Sequence, residues 1–306
     1  MAKNHTKKLR VKAIANPFAG DKRSHREFPD IRHQLESVFS ELDFTLTNGP
    51  GDATRLAREA VANGFQRVIA VGGDGTANEV ANGLVGSGVV LGLMPTGKAN
   101  NYYKFITRQS KLTRAKDIIR NGEIAHIDTG KIEQSFFVGS VDFGISALIS
   151  RYFHEQQGMG ILKGKTGNLL RAISDFQPTS FSLELDNIEI KGSFASITIG
   201  IGPMSMVNTK MLPYAKLTDG LLDVCLIRQD TKFMMLKNLM NAEKGKHVDN
   251  RDVLLYRCRQ LTIRTKSDVP IVVDGSQYKM NAKGLTIGVN PRSLKVLRDR
   301  QKKSKD

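Results

Sequence analysis

The chain has 306 residues, with 46 Lys and Arg against 30 Asp and Glu, for a formal charge of +16. That length suits about two domains, each able to bury its own core, and the 40% apolar, 25% charged composition excludes a disordered chain. Two cysteines, Cys225 and Cys258, exclude a disulfide framework and point to a reducing compartment.

The polar N-terminus has no apolar core of a secretory signal. Residues 10–15 form a short apolar run entering Asn16-Pro17-Phe18-Ala19-Gly20, which reads as a strand followed by a turn. Ile31, Leu35, Val38 and Phe39 recur at helical spacing, and 42–47 reads as a second strand. Gly51-Asp52 opens a helix carrying Ala53, Leu56, Ala57, Ala60 and Val61, and Asn63-Gly64 stops it. A third, fully apolar strand is expected over 68–71, a helix over about 76–84, and a fourth strand over 89–93. The longest uncharged run, 80–97, reaches membrane-spanning length, but its five glycines and one proline make it helix, turn, strand and loop. Such alternation argues for a mostly parallel sheet covered on both faces.

After Asn121-Gly122 the texture changes. Strands are expected over 124–132, 135–143, 181–185, 188–201, 220–227, 260–265, 269–273 and 284–289, with the β-branched content and turn punctuation of an antiparallel domain. Helical insertions at 168–176 and 232–243 interrupt it, and Phe233, Met234, Leu236 and Met240 of the second are expected in the core. Between 151 and 176 the cations Arg151, Lys163, Lys165 and Arg171 stand among Phe153, Met159, Ile161, Leu162, Leu169, Leu170, Ile173 and Phe176. A lipid-sheltering flap and a core-packed helix with a wet basic face both explain that mixture.

The strongest chemical signal is Val71-Gly72-Gly73-Asp74-Gly75-Thr76, between an apolar strand and a helix. Its glycines allow close backbone approach to a ligand, and the helix start offers free N–H groups to phosphate oxygens. Asp74 conflicts with a phosphate unless a divalent cation faces it or a hydrogen bond makes it a shaper of the loop. Asn16 to Gly20 and Met94-Pro95-Thr96-Gly97-Lys98-Ala99-Asn100-Asn101 follow the first and fourth strands. In an open parallel sheet these loops meet at the carboxyl edge, where ligands bind. Lys98 can supply a cation to a phosphate there or be a surface lysine.

Asn16-Pro17-x-x-Gly20, the run from Gly72 to Gly83, and Pro95-x-Gly97 resemble the diacylglycerol kinase catalytic-domain family, in particular its bacterial soluble lipid kinases. Leu217-x-Asp219-Gly220-Leu221-Leu222-Asp223-Val224, Val273-Asp274-Gly275 and Asn290-Pro291-x-x-Leu294 continue the resemblance in the family's order. It implies a Rossmann-like α/β nucleotide-binding domain over 1–123, rejoined by about 291–306, and an antiparallel β-sandwich lipid-substrate domain over 124–290. The implied reaction is phosphoryl transfer from ATP with Mg2+ to a diacylglycerol-like lipid hydroxyl. Asn16, Pro17, Gly20, Thr47, Gly72, Gly73, Asp74, Gly75, Thr76, Asn78, Glu79, Gly97 and Lys98 stand at the implied nucleotide-contacting positions. Asp219, with the carbonyls of Lys216 and Leu221, is similar to a structural magnesium site. Asp74, Asp274 and Ser276 occupy the implied catalytic positions.

The departures from the family pattern matter as much. Ser276 follows Asp274-Gly275 where the family has the glutamate that serves as base, and a serine hydroxyl cannot accept that proton near neutral pH. Asn101 replaces a metal-network aspartate, Lys98 a threonine, and Ser146 the aspartate of a glycine-aromatic-Asp pattern. General-base assistance contributes roughly 10²–10⁴-fold, so slow catalysis is expected, or a catalytically impaired relative that binds nucleotide or lipid as a regulatory module. An NAD kinase relative would share the Gly-Gly-Asp-Gly loop, but Asp219-Gly220-Leu221-Leu222-Asp223 matches the lipid kinases. Nucleic acid is excluded as partner by the absence of zinc-finger spacing and of aromatics interleaved with basic residues. The surplus charge, with Lys3, Lys7, Lys8, Arg10 and Lys12 near one end and a basic segment at 298–306 near the other, predicts peripheral association with an anionic inner membrane face from the cytoplasm. A homodimer is left open.

Overall fold

The computed structural model describes residues 9–155, 165–204, 209–279 and 284–300. The chain divides into two compact units, one of Met1–Ile127 with Ser293–Asp306 and one of Asp128–Arg292.

The first unit alternates β1 (Arg10–Ala15), α1 (Arg23–Glu36), β2 (Glu41–Leu46), α2 (Asp52–Ala62), β3 (Arg67–Gly72), α3 (Asp74–Leu84) and β4 (Val90–Pro95), followed by α4 (Asn101–Thr107) and α5 (Ala115–Asn121). The strands are parallel in the order β2-β1-β3-β4. Continuous apolar runs suit strands covered on both faces, and β1, β3 and β4 are accordingly buried over nearly their whole length, while edge strand β2 is half exposed. The uncharged run 80–97 is the end of α3, a turn and β4, and no described helix is long and apolar enough to cross a membrane. Lys295 and Val296 pair in parallel with Val90 and Leu91. Arg114 and Gln109 bind the Asp299 carboxylate, and Arg298 binds Glu123 at 2.5 Å.

The second unit contains β5 (Glu123–Ile132), which begins in the first, then β6 (Ser135–Phe137), β7 (Ser140–Gly144), α6 (Ile145–Glu155), α7 (Lys165–Asp175), β8 (Ser180–Leu185) and β9 (Ile188–Gly200). It continues with β10 (Leu222–Arg228), α8 (Lys232–Ala242), β11 (Val253–Cys258), β12 (Gln260–Thr265), β13 (Ile271–Val273), β14 (Ser276–Tyr278) and β15 (Leu285–Arg298), whose last residues belong to the first unit. The pairings that link β6 to β5, β7 to β9 and β13, β8 to β9 and β12, β10 to β9 and β11, β12 to β15, and β13 to β14 are antiparallel. Long β9 serves two sheets: its first half pairs with β8 and its second with β7 and β10. Phe143, Ile197, Ile199, Val224, Leu183, Leu261 and Ile287 fill the space between the sheets. An α/β unit followed by a β-sandwich is the architecture expected from the sequence. The single strand expected over 135–143 is two, because Val138 and Gly139 break away to donate to Asp274.

Helices α6, α7 and α8 cover the other face of the β7-β9-β10 sheet through Ile145, Leu148, Ile149, Tyr152, Ala172, Ile173, Met235 and Leu239. Tyr152 Oη donates to Asp175 at 2.5 Å, joining α6 to α7. The apolar sides of these helices face the core, as the core-packed reading of 151–176 requires; Met159, Ile161, Leu162 and Lys163 lie outside the described residues. Two other expectations change. Phe233 and Met240, placed in the core by spacing alone, are exposed. Lys12 is a folded-state residue rather than a free basic tail, since Nζ binds Asp43 at 2.6 Å and Thr45 at 3.0 Å; Lys3, Lys7 and Lys8 lie outside the described residues, as does 301–306.

Candidate functional site

Because β1, β3 and β4 run the same way as neighbours, the loops leaving them share one edge of the sheet. β1 has β2 on one side and β3 on the other, so the winding switches direction there, where open parallel sheets form a crevice. Asn16 stands at that switch. Its N–H donates to Val71 O at 3.0 Å, its Oδ1 accepts from Phe18 N–H at 2.9 Å, and its Nδ2 donates to Thr76 Oγ1 at 3.0 Å. The first ties the loop that contains Pro17 and Gly20 to β3, the second shapes that loop from within, and the third joins it to the opening turn of α3. Thr47, buried at the end of β2, donates its N–H to Ala15 O at 2.9 Å.

The glycines of the β3–α3 loop divide into two kinds. A Cβ on Gly72 would lie 2.4 Å from Thr76 Oγ1, and one on Gly97 would lie 2.4 Å from Gly73 Cα. The loops after β3 and β4 therefore touch backbone to backbone, which glycine permits and alanine does not. Thr96 N–H donates to Gly72 O at 2.9 Å, and Asn100, at φ 50°, accepts from Gly97 N–H at 3.0 Å and donates to Gly97 O at 2.8 Å. Gly75 is the other kind: a Cβ there meets nothing within 4 Å. Lys98 is exposed on the same loop cluster.

Asp74 turns inward. Its carboxylate accepts the Tyr102 N–H at 2.7 Å and the N–H groups of Asn101 and Asn100, so it holds the start of α4. Burial pushes its carboxyl above the usual range, while those N–H groups and Lys104 pull the other way. Of the two ways to reconcile an aspartate with a phosphate loop, the structure contains the loop-shaping hydrogen bond. The space behind the loop, between Asp74, Leu93, Met94 and Tyr102, is about 10 Å³, no more than one water occupies. That space is too small for a nucleotide, whereas the Gly75 Cβ position faces open space. Glu79 is engaged away from the loop: Oε2 accepts the Ala53 N–H at 3.2 Å at the start of α2, and its carbonyl accepts Thr54 Oγ1 at 2.8 Å. Asn78 accepts from Asn82 Nδ2. Asn101 is fully buried beside Asp74.

In the second unit Asp274 and Gly275 form the two-residue turn between β13 and β14, with φ of 46° and 83°. A tight hairpin needs two left-handed residues there, which Asp-Gly supplies. The Asp274 carboxylate accepts three backbone N–H groups, from Val138 at 2.9 Å, Gly139 at 3.0 Å and Ser140 at 2.9 Å. This geometry gives it the role of holding the turn. Ser276 is the first, exposed residue of β14. Ser146 is buried and shares a hydrogen bond with Ser196.

Asp219 is exposed, and its Oδ1 accepts the Leu221 N–H at 3.3 Å. Nearby Asp223 is buried and bound by Arg257 Nε at 3.0 Å, yet its Oδ2 has no partner among the described residues. Burial holds the Asp223 carboxyl high, Arg257 lowers it, and the Asp219 charge raises it further. An orphaned carboxylate oxygen that feels the charge of a second carboxylate fits the chemistry of a hard cation. Among the described residues no three acidic, histidine or cysteine side chains cluster as metal ligands, so carbonyls or waters would have to complete the coordination. Asp223 as a second carboxylate was missed in the sequence, as was Asp128, which bridges the Gly220 and Arg292 N–H groups at 2.7 Å each and fixes that turn. For Asp223 the available signal was a lone acid inside the otherwise apolar start of β10; Asp128, in a strand that also contains Glu123, His126 and Lys131, had no such signal.

The family model described as Diacylglycerol kinase catalytic domain matches residues 10–132, and that described as YegS C-terminal NAD kinase beta sandwich-like domain matches residues 139–298. A protein of Staphylococcus aureus (strain bovine RF122 / ET3-1) named diacylglycerol kinase is 26% identical over 274 residues, covering 87% of this chain and 85% of its own length. One of Bacillus subtilis (strain 168), with the same name, is 23% identical over 276 residues, covering 87% and 89%. The crystal structure of a diacylglycerol kinase from Bacillus anthracis str. Sterne superposes with a TM-score of 0.73 at 18% identity, covering 96% of this chain and 98% of that one.

Proposed function

The chain belongs to the diacylglycerol kinase catalytic-domain family, and from that premise we propose that it transfers the γ-phosphoryl group of ATP to a hydroxyl of a diacylglycerol-like lipid at a membrane surface. The observation that carries the nucleotide half is the Gly73–Gly97 contact, which leaves the Gly75 side of the α3 start open beside the Asn16–Thr76 bond. A phosphate there meets N–H groups and the positive end of α3 with no Cβ in its path. Asn16, Gly72 to Thr76, Gly97 and Lys98 are the residues assigned to it. Asp74 acts through position, by fixing α4 against the loop.

Asp219, Asp223 and the carbonyls of Lys216 and Leu221 would hold a magnesium ion, which would neutralise the paired carboxylates and stiffen that turn of the second unit. Phosphoryl transfer depends chiefly on positioning and charge stabilisation, so loss of a base slows it without abolishing it. Ser276 offers a hydroxyl where a carboxylate would take the lipid proton, and Asp274 spends its oxygens on three N–H groups. Those bonds also favour a second reading, an impaired relative that binds nucleotide or lipid as a regulatory module.

Incubation with γ-labelled ATP and a panel of diacylglycerol, sphingoid base, ceramide and phosphatidylglycerol separates the readings. Label in extracted diacylglycerol supports the kinase. Binding of nucleotide or lipid with no label in any acceptor supports the module, and neither binding nor label contradicts both.

A further inference from the structure

Helix α8 has two faces with different fates. Its sequence, KFMMLKNLMNA, contains no acidic residue. Met235 and Leu239 join the buried cluster with α6 and α7, and Asn238 and Ala242 are also buried. On the outer side Phe233 is 72% exposed and Met240 58% exposed, with half-buried Leu236 between them. Spacings of three and four residues put these on one stripe. Lys232, Lys237 and Lys244, all exposed, border it. At the N-terminal end of α8, Arg228, Asp230 and Lys191, which pairs with Glu189, line a concavity of about 390 Å³ with Ser193 and Thr231, the residue that caps the helix.

A stripe with an aromatic ring and a thioether in water, bordered by three lysines on flexible stems with Asp230 and Glu243 at its two ends, is net cationic and suits a bilayer interface. Apolar side chains enter between headgroups while lysine stems extend outward to the phosphates. The occupant is an anionic lipid surface, on charge grounds. A second copy of the chain in a self-complementary contact would set these lysines against each other, within a molecule already at +16. We infer that α8 is a membrane-docking helix, inserting Phe233 and Met240 into an anionic leaflet while Lys232, Lys237 and Lys244 contact its headgroups. The inference rests on the lipid-kinase reading only in supposing that a bilayer carries the substrate.

The chain contains no tryptophan, so Phe233→Trp installs a single reporter in the whole protein. Its emission should shift to the blue on phosphatidylglycerol–phosphatidylcholine vesicles, be quenched by brominated acyl chains, and stay unchanged on phosphatidylcholine alone. The full chain carrying Phe233→Ser and Met240→Ser should bind the anionic vesicles at least about tenfold more weakly with an unchanged Tm. Phosphorylation of a short-chain, water-dispersed diacylglycerol should be the same in that variant and in wild type, which keeps failure of docking distinct from failure of the kinase reading. Unshifted emission on anionic vesicles, or wild-type vesicle affinity in the double variant, would overturn the assignment. So would a dimer that the double variant dissociates, or an equal blue shift on polyglutamate without vesicles.

Discussion

Two glycines of the same loop cluster should respond in opposite ways to substitution. In Gly97→Ala the new methyl would lie 2.4 Å from Gly73 Cα, 3.2 Å from Gly73 N and 3.0 Å from Asn100 Oδ1. Neither backbone can yield without opening the Gly97–Asn100 pair of hydrogen bonds. Overpacking of this kind costs about 1–3 kcal/mol, and each of the two lost hydrogen bonds about 1 kcal/mol, so a total of about 3–5 kcal/mol is expected. At about 3 °C per kcal/mol for a unit of this size, Tm should fall by roughly 9–15 °C. In Gly75→Val the new Cβ meets no atom within 4 Å, and the change replaces a poor helix former by a slightly better one. Its Tm should match wild type or rise slightly, while its branched side chain stands on the open side where phosphate is assigned. Calorimetry of ATP binding should show at least a tenfold loss for Gly75→Val. Wild-type ATP affinity in Gly75→Val would refute the assignment of phosphate to this loop. An unchanged Tm in Gly97→Ala would refute the packing argument beneath it.

Burial raises the Asp142 carboxyl to about 6, against the bonds from Thr198 at 2.7 Å and Ser140 at 2.8 Å that lower it. A raised folded value means that its contribution to stability is fully present below about pH 4 and is lost as pH rises to about 6. At roughly 1.4 kcal/mol per pH unit the loss is about 3 kcal/mol, and denaturant melts of Asp142→Asn should lack that slope; the same slope in wild type and variant would contradict the assignment. The thiols of Cys225 and Cys258 are buried and pushed up to about 12, so a thiol reagent should label neither until the protein unfolds. Rapid labelling of either under native conditions would show that the sandwich opens locally. Ser276→Glu places a carboxylate at the exposed start of β14 and should raise turnover on diacylglycerol by about 10²-fold or more if the general-base argument holds; an unchanged rate would remove the base from the account.

The parallel sheet was legible because fully apolar runs of four to six residues, separated by amphipathic helices, have few other folds available. The carboxyl-edge loops followed from the direction of the strands. Asp74 shows where such reading stops. Its neighbours suggested a phosphate or metal role, but its orientation is decided by the free N–H groups of α4, and α4 has no obvious start signal because Asn100 begins it from a left-handed conformation. Asp274 was readable as a turn residue from Asp-Gly, whereas its three bonds to 138–140 lie more than 130 residues away in sequence. Helix α8 misled for another reason. With apolar residues on almost every side of KFMMLKNLMNA, spacing cannot say which ones face the core, and only the position of α7 selects Met235 and Leu239 over Phe233 and Met240.

The most direct test of phosphoryl transfer to a lipid is mass spectrometry of the lipid extract after the purified full chain has been incubated with ATP, magnesium and diacylglycerol-containing vesicles. The account predicts a phosphorylated diacylglycerol that accumulates slowly with wild type, is absent with Gly75→Val, and accumulates faster with Ser276→Glu. ATP bound by the wild-type chain with no phosphorylated lipid formed over many hours, in either wild type or Ser276→Glu, would contradict it.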